Sequence, residues 1–260
     1  MKKILSLLFL LFSLAANAED RQIARIFTRH DANGTLVLSA LNSGKTYLHN
    51  AVRAERRFSP ASTFKIPNTL IALEAKAIAG PDDVFKWNGQ TYDVPDCNRD
   101  QTLASAFKSS CVWCYQELAR RVGADQYRDY LRRMDYGHLQ APFETTTFWL
   151  DGSLQISPLE QIAFLKKAYR RRLPFGAAAY EGLRQIMLGE ATPGFKLYAK
   201  TGWVARTKPE VGWYVGYVEV PGEVWLFALN MDIHGKQDFP LRQQITREAL
   251  AAKGILKNPG

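Results

Sequence analysis

Val211-Gly212-Trp213-Tyr214-Val215-Gly216-Tyr217-Val218-Glu219-Val220-Pro221-Gly222-Glu223-Val224-Trp225-Leu226-Phe227-Ala228-Leu229-Asn230-Met231 is rich in β-branched and aromatic residues on both sides of one Pro-Gly pair. It reads as two antiparallel strands, 211–220 and 223–231, joined by a tight turn. Residues 195–200 add a strand before them. At the other end of the chain, 23–29 and 35–41 read as strands around Asp31-Ala32-Asn33-Gly34, and 45–50 as a third. The middle has helical patterning instead, at 63–79, 103–108, 112–121, 124–134, 158–169 and 176–188, and a last helix is expected at 241–252. Strands at both ends with helices between them predict an α+β fold. A central antiparallel sheet is built from the N- and C-terminal strands and flanked by helices, with a helical subdomain inserted at roughly 63–190. A seam between sheet and helical part is a natural place for a pocket.

The first eighteen residues are set apart from this fold. Lys2 and Lys3 precede the apolar run Ile4 to Leu14, and Ala16-Asn17-Ala18 is a small-x-small cleavage site. Residues 1–18 are expected to be an export signal and 19–260 a single domain, with a bacterial periplasm as destination. The apolar run is short for a membrane span, so no membrane attachment is expected after cleavage. The formal net charge of +9 favours anionic ligands, but no basic block interleaved with aromatics marks a nucleic-acid groove. The four histidines show no H-E-x-x-H or H-x-H spacing, and no metal site is expected. Gly44-Lys45-Thr46 has Ser39 where a phosphate-binding loop needs its first glycine, and is read as a hairpin turn. Of the three cysteines, Cys111 and Cys114 form a C-x-x-C without a second ligand pair. They are read as buried apolar thiols, with a disulfide involving Cys97 left open.

Three strings carry chemistry: Ser62-Thr63-Phe64-Lys65, Ser110-Cys111-Val112 and Lys200-Thr201-Gly202. Each is weak alone, and Ser105-Ala106-Phe107-Lys108 repeats the Ser-x-x-Lys pattern. Setting separates the two copies, because Ser62 follows the loop Phe58-Ser59-Pro60-Ala61 and opens a helical stretch. A serine there serves equally well as a plain N-cap. Residues three apart share one helix face, however, so the Lys65 amine can reach the Ser62 hydroxyl. A serine hydroxyl becomes a nucleophile when a neighbour takes its proton, and Ser-Lys pairs are one solution. Pro67 costs little so close to the helix start.

The chain closely resembles the class D β-lactamases. Pro60-Ala61-Ser62-Thr63-Phe64-Lys65, Ser110-Cys111-Val112, Phe148-Trp149-Leu150-Asp151-Gly152 and Tyr198-Ala199-Lys200-Thr201-Gly202-Trp203 match that family's motifs in order, ending at the arginine of Phe239-Pro240-Leu241-Arg242. The resemblance implies a serine β-lactamase and penicillin-binding-protein-like fold, which opens β-lactam antibiotics through a Ser62 acyl-enzyme and confers resistance. It implies no cofactor except carbon dioxide or bicarbonate, which carboxylates Lys65 into the general base for acylation and deacylation. Trp149 would donate its indole N–H to that group, and Val112 and Leu150 would cover it. Ser110 would relay a proton to the leaving nitrogen with help from Lys200. Thr201 and Arg242 would bind the substrate carboxylate, and Gly202 and Trp203 would line the substrate site, with the Ser62 and Trp203 N–H groups holding the oxyanion. Tyr136-Gly137-His138 departs from the family's Tyr-Gly-Asn at its third residue. Substrate range is not implied, and a homodimer stays open. Two other functions share these motifs: a transpeptidase that keeps its acyl adduct, and an antibiotic sensor that is acylated once.

Overall fold

A computed structural model of the chain describes Glu19 to Leu256, so the expected signal at 1–18 lies outside the described residues. The N-terminal part contributes α1 (Arg21–Arg29), β1 (Gly34–Ala40), β2 (Thr46–His49) and α2 (Ala51–Glu55). The middle holds α3 (Lys65–Glu74), a ribbon of β3 (Val84–Phe85) with β4 (Gln101–Thr102), and then α4 (Leu103–Lys108), α5 (Val112–Val122) and α6 (Ala124–Met134). A second ribbon, β5 (His138–Leu139) with β6 (Leu154–Gln155), precedes α7 (Pro158–Tyr169) and α8 (Ala177–Met187). The chain returns as β7 (Leu188–Ala191), β8 (Lys196–Val204), β9 (Glu210–Val220) and β10 (Glu223–Ile233) before α9 (Leu241–Ala252).

Six strands form one antiparallel sheet in the order β2-β1-β10-β9-β8-β7, so the two ends of the chain meet where β1 pairs β10. The α+β expectation holds, with its sheet of N- and C-terminal strands. Val220 pairs Glu223 across Pro221-Gly222, and Gly222 supplies the positive φ of 83° that this turn needs. Both faces of the central strands are covered, which is why they read as nearly unbroken apolar runs. Leu36 and Leu38 of β1, with Phe227 and Leu229 of β10, point to the face covered by Ile23, Ile26 and Phe27 of α1 and by Ile245 and Leu250 of α9. Their sequence neighbours Val37, Leu226 and Ala228 point to the opposite face and the helical core, as the two-residue period of a strand requires.

Two expectations are corrected. Residues 23–29 are not a strand but most of helix α1: the Asp20 carboxylate caps it, accepting from the backbone N–H of Gln22 at 3.1 Å and of Ile23 at 3.0 Å. Ile23, Ile26 and Phe27 then bury one helical stripe, a three- and four-residue spacing that outweighs their strand propensity. The helix expected at 63–79 is shorter and has a tight first turn, three-ten at Ala61–Phe64 and α from Lys65 to Glu74. It stops in a Schellman cap, where Lys76 takes φ 54° and the Ala77 N–H bonds the Ala72 carbonyl at 2.9 Å.

Candidate active site

The Ser62 turn is fixed from several directions. Ala61 adopts φ 46°, and its N–H bonds the Trp149 carbonyl at 3.0 Å, which also accepts from the Ser59 hydroxyl at 2.8 Å. The Trp213 indole holds the Ser59 carbonyl at 2.9 Å, and the Gln161 amide holds the Thr63 hydroxyl at 3.0 Å. From the other side, Gly202 of β8 packs flat on the turn. A Cβ added there would lie 3.0 Å from the Thr63 methyl, 3.1 Å from the Pro60 oxygen and 3.2 Å from the Trp213 Cβ. A side chain there would push these neighbours apart by a few tenths of an ångström, so glycine lets the strand lie closest on the turn.

Lys65 begins α3 with Nζ 3.2 Å from Ser62 Oγ, and 1 % of the residue is exposed. The amine lies over the Tyr115 ring, 4.8 Å from its centroid. Burial disfavours the ammonium and pulls the Lys65 pKa down to about 7, against a smaller opposing influence from Cys97. Trp149, 1 % exposed, stacks on the ring of Phe64 at 5.7 Å, directly before Lys65 in the chain. Leu150, next to it, is half-buried, whereas Val112 opens α5 and is 37 % exposed.

A second serine and lysine meet across the cleft. Ser110 lies between α4 and α5 in a left-handed conformation, φ 58°, which costs a non-glycine residue about 1–3 kcal/mol and persists only where surroundings impose it. Lys200 of β8 donates a hydrogen bond to the Ser110 hydroxyl and another to the Thr201 carbonyl at 3.1 Å. Burial holds the Lys200 ammonium well below the usual lysine range, with Lys65 and Arg242 as like-charged neighbours adding to the effect. Arg242, in the first turn of α9, donates to the Gly202 carbonyl and to the Phe239 carbonyl, each at 2.8 Å, and its pKa is lowered by burial to about 10. Among the described residues none of these three cations has a carboxylate partner, so the cleft attracts anions. Trp203 forms a wall, 42 % exposed and edge-on to Phe239 at 5.0 Å.

The structure therefore brings together Ser62 with Lys65, Ser110 with Lys200, Gly202 with the Ser62 turn, and Arg242 with Gly202. His138 is exposed in β5 and paired with Gln155. Gly137 shapes that loop, since a Cβ added at its φ of 61° would meet the Gln155 oxygen at 2.2 Å. The second Ser-x-x-Lys has no such setting: Ser105 bonds Gln101 within the α4 cap and Lys108 is exposed. The reading of Cys111 and Cys114 as free thiols is wrong. They form a disulfide with their Cα atoms 5.6 Å apart, while Cys97 is the buried free cysteine. Three site residues escaped the sequence reading. Tyr115 lies one helical turn beyond Val112, a spacing that could have flagged it. Gln161 acts over a long separation, and Glu210, the first residue of β9, takes the Trp203 indole N–H at 2.7 Å from across the β8–β9 connection.

Comparisons with known proteins agree with this geometry. The penicillin binding protein transpeptidase domain family matches residues 15–251. Beta-lactamase OXA-48 of Klebsiella pneumoniae is 42% identical over 230 residues, covering 88% of this chain and 87% of that protein. Beta-lactamase OXA-2 of Salmonella typhimurium is 39% identical over 245 residues, 91% of this chain and 88% of that protein. Among solved structures, the class D β-lactamase YbXI from Nostoc has a TM-score of 0.88 and 38% identity, covering 90% of this chain and 99% of its own. The class D β-lactamase FUS-1 of Fusobacterium nucleatum has a TM-score of 0.90 at 34% identity, covering 92% and 100%. With Ser62–Lys65 and Ser110–Lys200 hydrogen-bonded and the two lysines neighbours on this fold, the chain belongs to the class D β-lactamase family.

Proposed function

We propose that this protein hydrolyses the amide bond of penicillin-type β-lactams through a Ser62 acyl-enzyme and so confers antibiotic resistance. The observation that carries the reading is the buried Lys65 amine, at hydrogen-bond distance from a half-buried serine hydroxyl and lowered in pKa to about 7. Such an amine is partly neutral near pH 7, and only the neutral form adds carbon dioxide. The site fits that modification: the Tyr115 ring walls the amine, the buried Trp149 ring packs on Phe64 beside it in the chain, and the neighbouring Lys200 offsets negative charge. Carboxylation supplies an anionic general base at this position.

In acylation, the Lys65 side chain takes the Ser62 proton, and the oxygen attacks the lactam carbonyl. The N–H groups of Ser62 and Trp203 receive the developing oxyanion. Ser110, hydrogen-bonded to Lys200, passes a proton to the departing nitrogen. Thr201 and Arg242 hold the substrate carboxylate, while Trp203, Val112 and Leu150 supply apolar walls. In deacylation a water loses its proton to the Lys65 side chain and releases the acyl group. No helix among the described residues is long and apolar enough to cross a membrane, and the leader pattern of residues 1–18 supports action in the periplasm. The direct test is mass spectrometry of the protein mixed with a penicillin and followed over time. A transient adduct with accumulating hydrolysed drug is expected, whereas a persistent adduct would mean a transpeptidase or a sensor.

Two further outcomes follow. Trp149→Ala removes a large buried ring, so a stability loss of about 3–5 kcal/mol is expected in denaturant unfolding. Deacylation should slow more than acylation, because loss of the ring packed on Phe64 loosens the buried turn that carries Lys65. Activity should fall as pH drops through about 7, since acid protonates the Lys65 amine and removes the form that binds carbon dioxide. Added bicarbonate should restore part of it in steady-state assays, and failure to do so at any acidic pH would count against carboxylation.

A further inference from the structure

We propose that the Cys111–Cys114 disulfide is a positioning device for Ser110, so that the acylation half of the cycle depends on that bond being closed. The inference rests on the role given to Ser110 above. Ser110 is the residue directly before the disulfide loop, and it holds its left-handed conformation between two helices. Backbone bonds secure its approach, from the Ser110 N–H to the Phe107 carbonyl at 3.3 Å and from the Cys111 N–H to the Ala106 carbonyl at 2.9 Å. On the far side the covalent link closes the first turn of α5. Cys111 is its N-cap, and its sulfur accepts from the Cys114 N–H at 3.3 Å, where helices ordinarily use serine, threonine or aspartate. The Trp113 indole ties the same turn from outside, donating to the Cys97 carbonyl at 2.9 Å.

Both sulfurs lie in residues with no exposed surface, so the pair is not placed to exchange disulfides with other proteins. Nor is it well placed as a global staple, because stabilisation from a cross-link grows with the loop it closes and this loop spans three residue steps. What the link does restrict is the segment in which one serine hydroxyl must meet the Lys200 ammonium and a leaving nitrogen.

The test is the double variant Cys111→Ser and Cys114→Ala, which keeps an oxygen N-cap and removes the link, compared with wild type and with Ser110→Ala in rapid-mixing kinetics on a penicillin. The acylation rate constant should fall on the order of tenfold to a hundredfold, the scale of a misplaced catalytic group, while deacylation stays within about twofold. Unchanged acylation, or equal losses in both steps, would overturn the proposal. Should the double variant fold poorly, the single variant Cys114→Ala, which removes the link and leaves Cys111 at the N-cap, gives the same readout. If Ser110→Ala slows acylation and opening the link does not, the positioning role fails and the mechanism stands. If Ser110→Ala itself leaves acylation unchanged, the mechanism fails.

Discussion

Ser62→Ala should form no covalent adduct with any β-lactam, and hydrolysis should fall by about a millionfold, as when a serine hydrolase loses its nucleophile. The prediction is severe because the cleft offers no neighbouring replacement. Ser110 is committed to Lys200, and the Thr63 hydroxyl faces inward to the Pro60 carbonyl and Gln161. Folding should be unaffected: the described contact of the Ser62 side chain is with Lys65, and the turn is held instead by Ala61, Ser59, Thr63 and Gly202. Binding should survive, since Arg242, Thr201 and the apolar walls remain. Intact-protein mass spectrometry and a competition assay for reversible binding check the two halves, and an adduct on the variant would sink the assignment of Ser62.

Lys65→Ala should abolish turnover in a different way. General-base catalysis is worth about 10²–10⁴ in rate, and here one side chain serves both steps. Acylation should be slow, and any adduct that forms should persist, turning a hydrolase into a trap for the drug. Stability should behave unusually. Removing a side chain that is 1 % exposed normally costs several kcal/mol, but this one buries a polar amine whose hydrogen bond is to Ser62. Lost packing is offset in part by removal of a buried polar group, so the melting temperature should fall by less than for an apolar side chain of this size while activity vanishes, as expected where function is held against stability. Single-turnover kinetics and thermal unfolding of the same sample decide it, and normal deacylation by the variant would remove Lys65 from the mechanism.

Much of this was readable in the sequence because local rules agree with the fold. The β9–β10 hairpin follows from Pro221-Gly222 and its flanking runs, and α4, α6, α7 and α9 begin and end where composition changes. α1 was misread because Ile23, Ile26 and Phe27 fit a strand by propensity, while the Asp20 cap and their three- and four-residue spacing carry the decisive information. The end of α3 was hidden because Lys76, not glycine, takes the left-handed position. Within the site, Ser62 and Lys65 were recoverable from three-residue spacing, but their meeting with Ser110, Lys200 and Arg242 is tertiary. Gln161 acts on Thr63 across 98 residues, which no local pattern can announce. The disulfide was missed because three-residue spacing suits both free thiols on one helix face and a closed first turn.

The claim beneath the whole mechanism is that the Lys65 amine is neutral enough, and dry enough, to hold carbon dioxide. It is measured by carbon-13 NMR of the protein equilibrated with labelled bicarbonate above neutral pH. Wild type should show a carbamate resonance that is absent from Lys65→Ala and fades as pH falls through about 7. A fully active enzyme with no such resonance would contradict it.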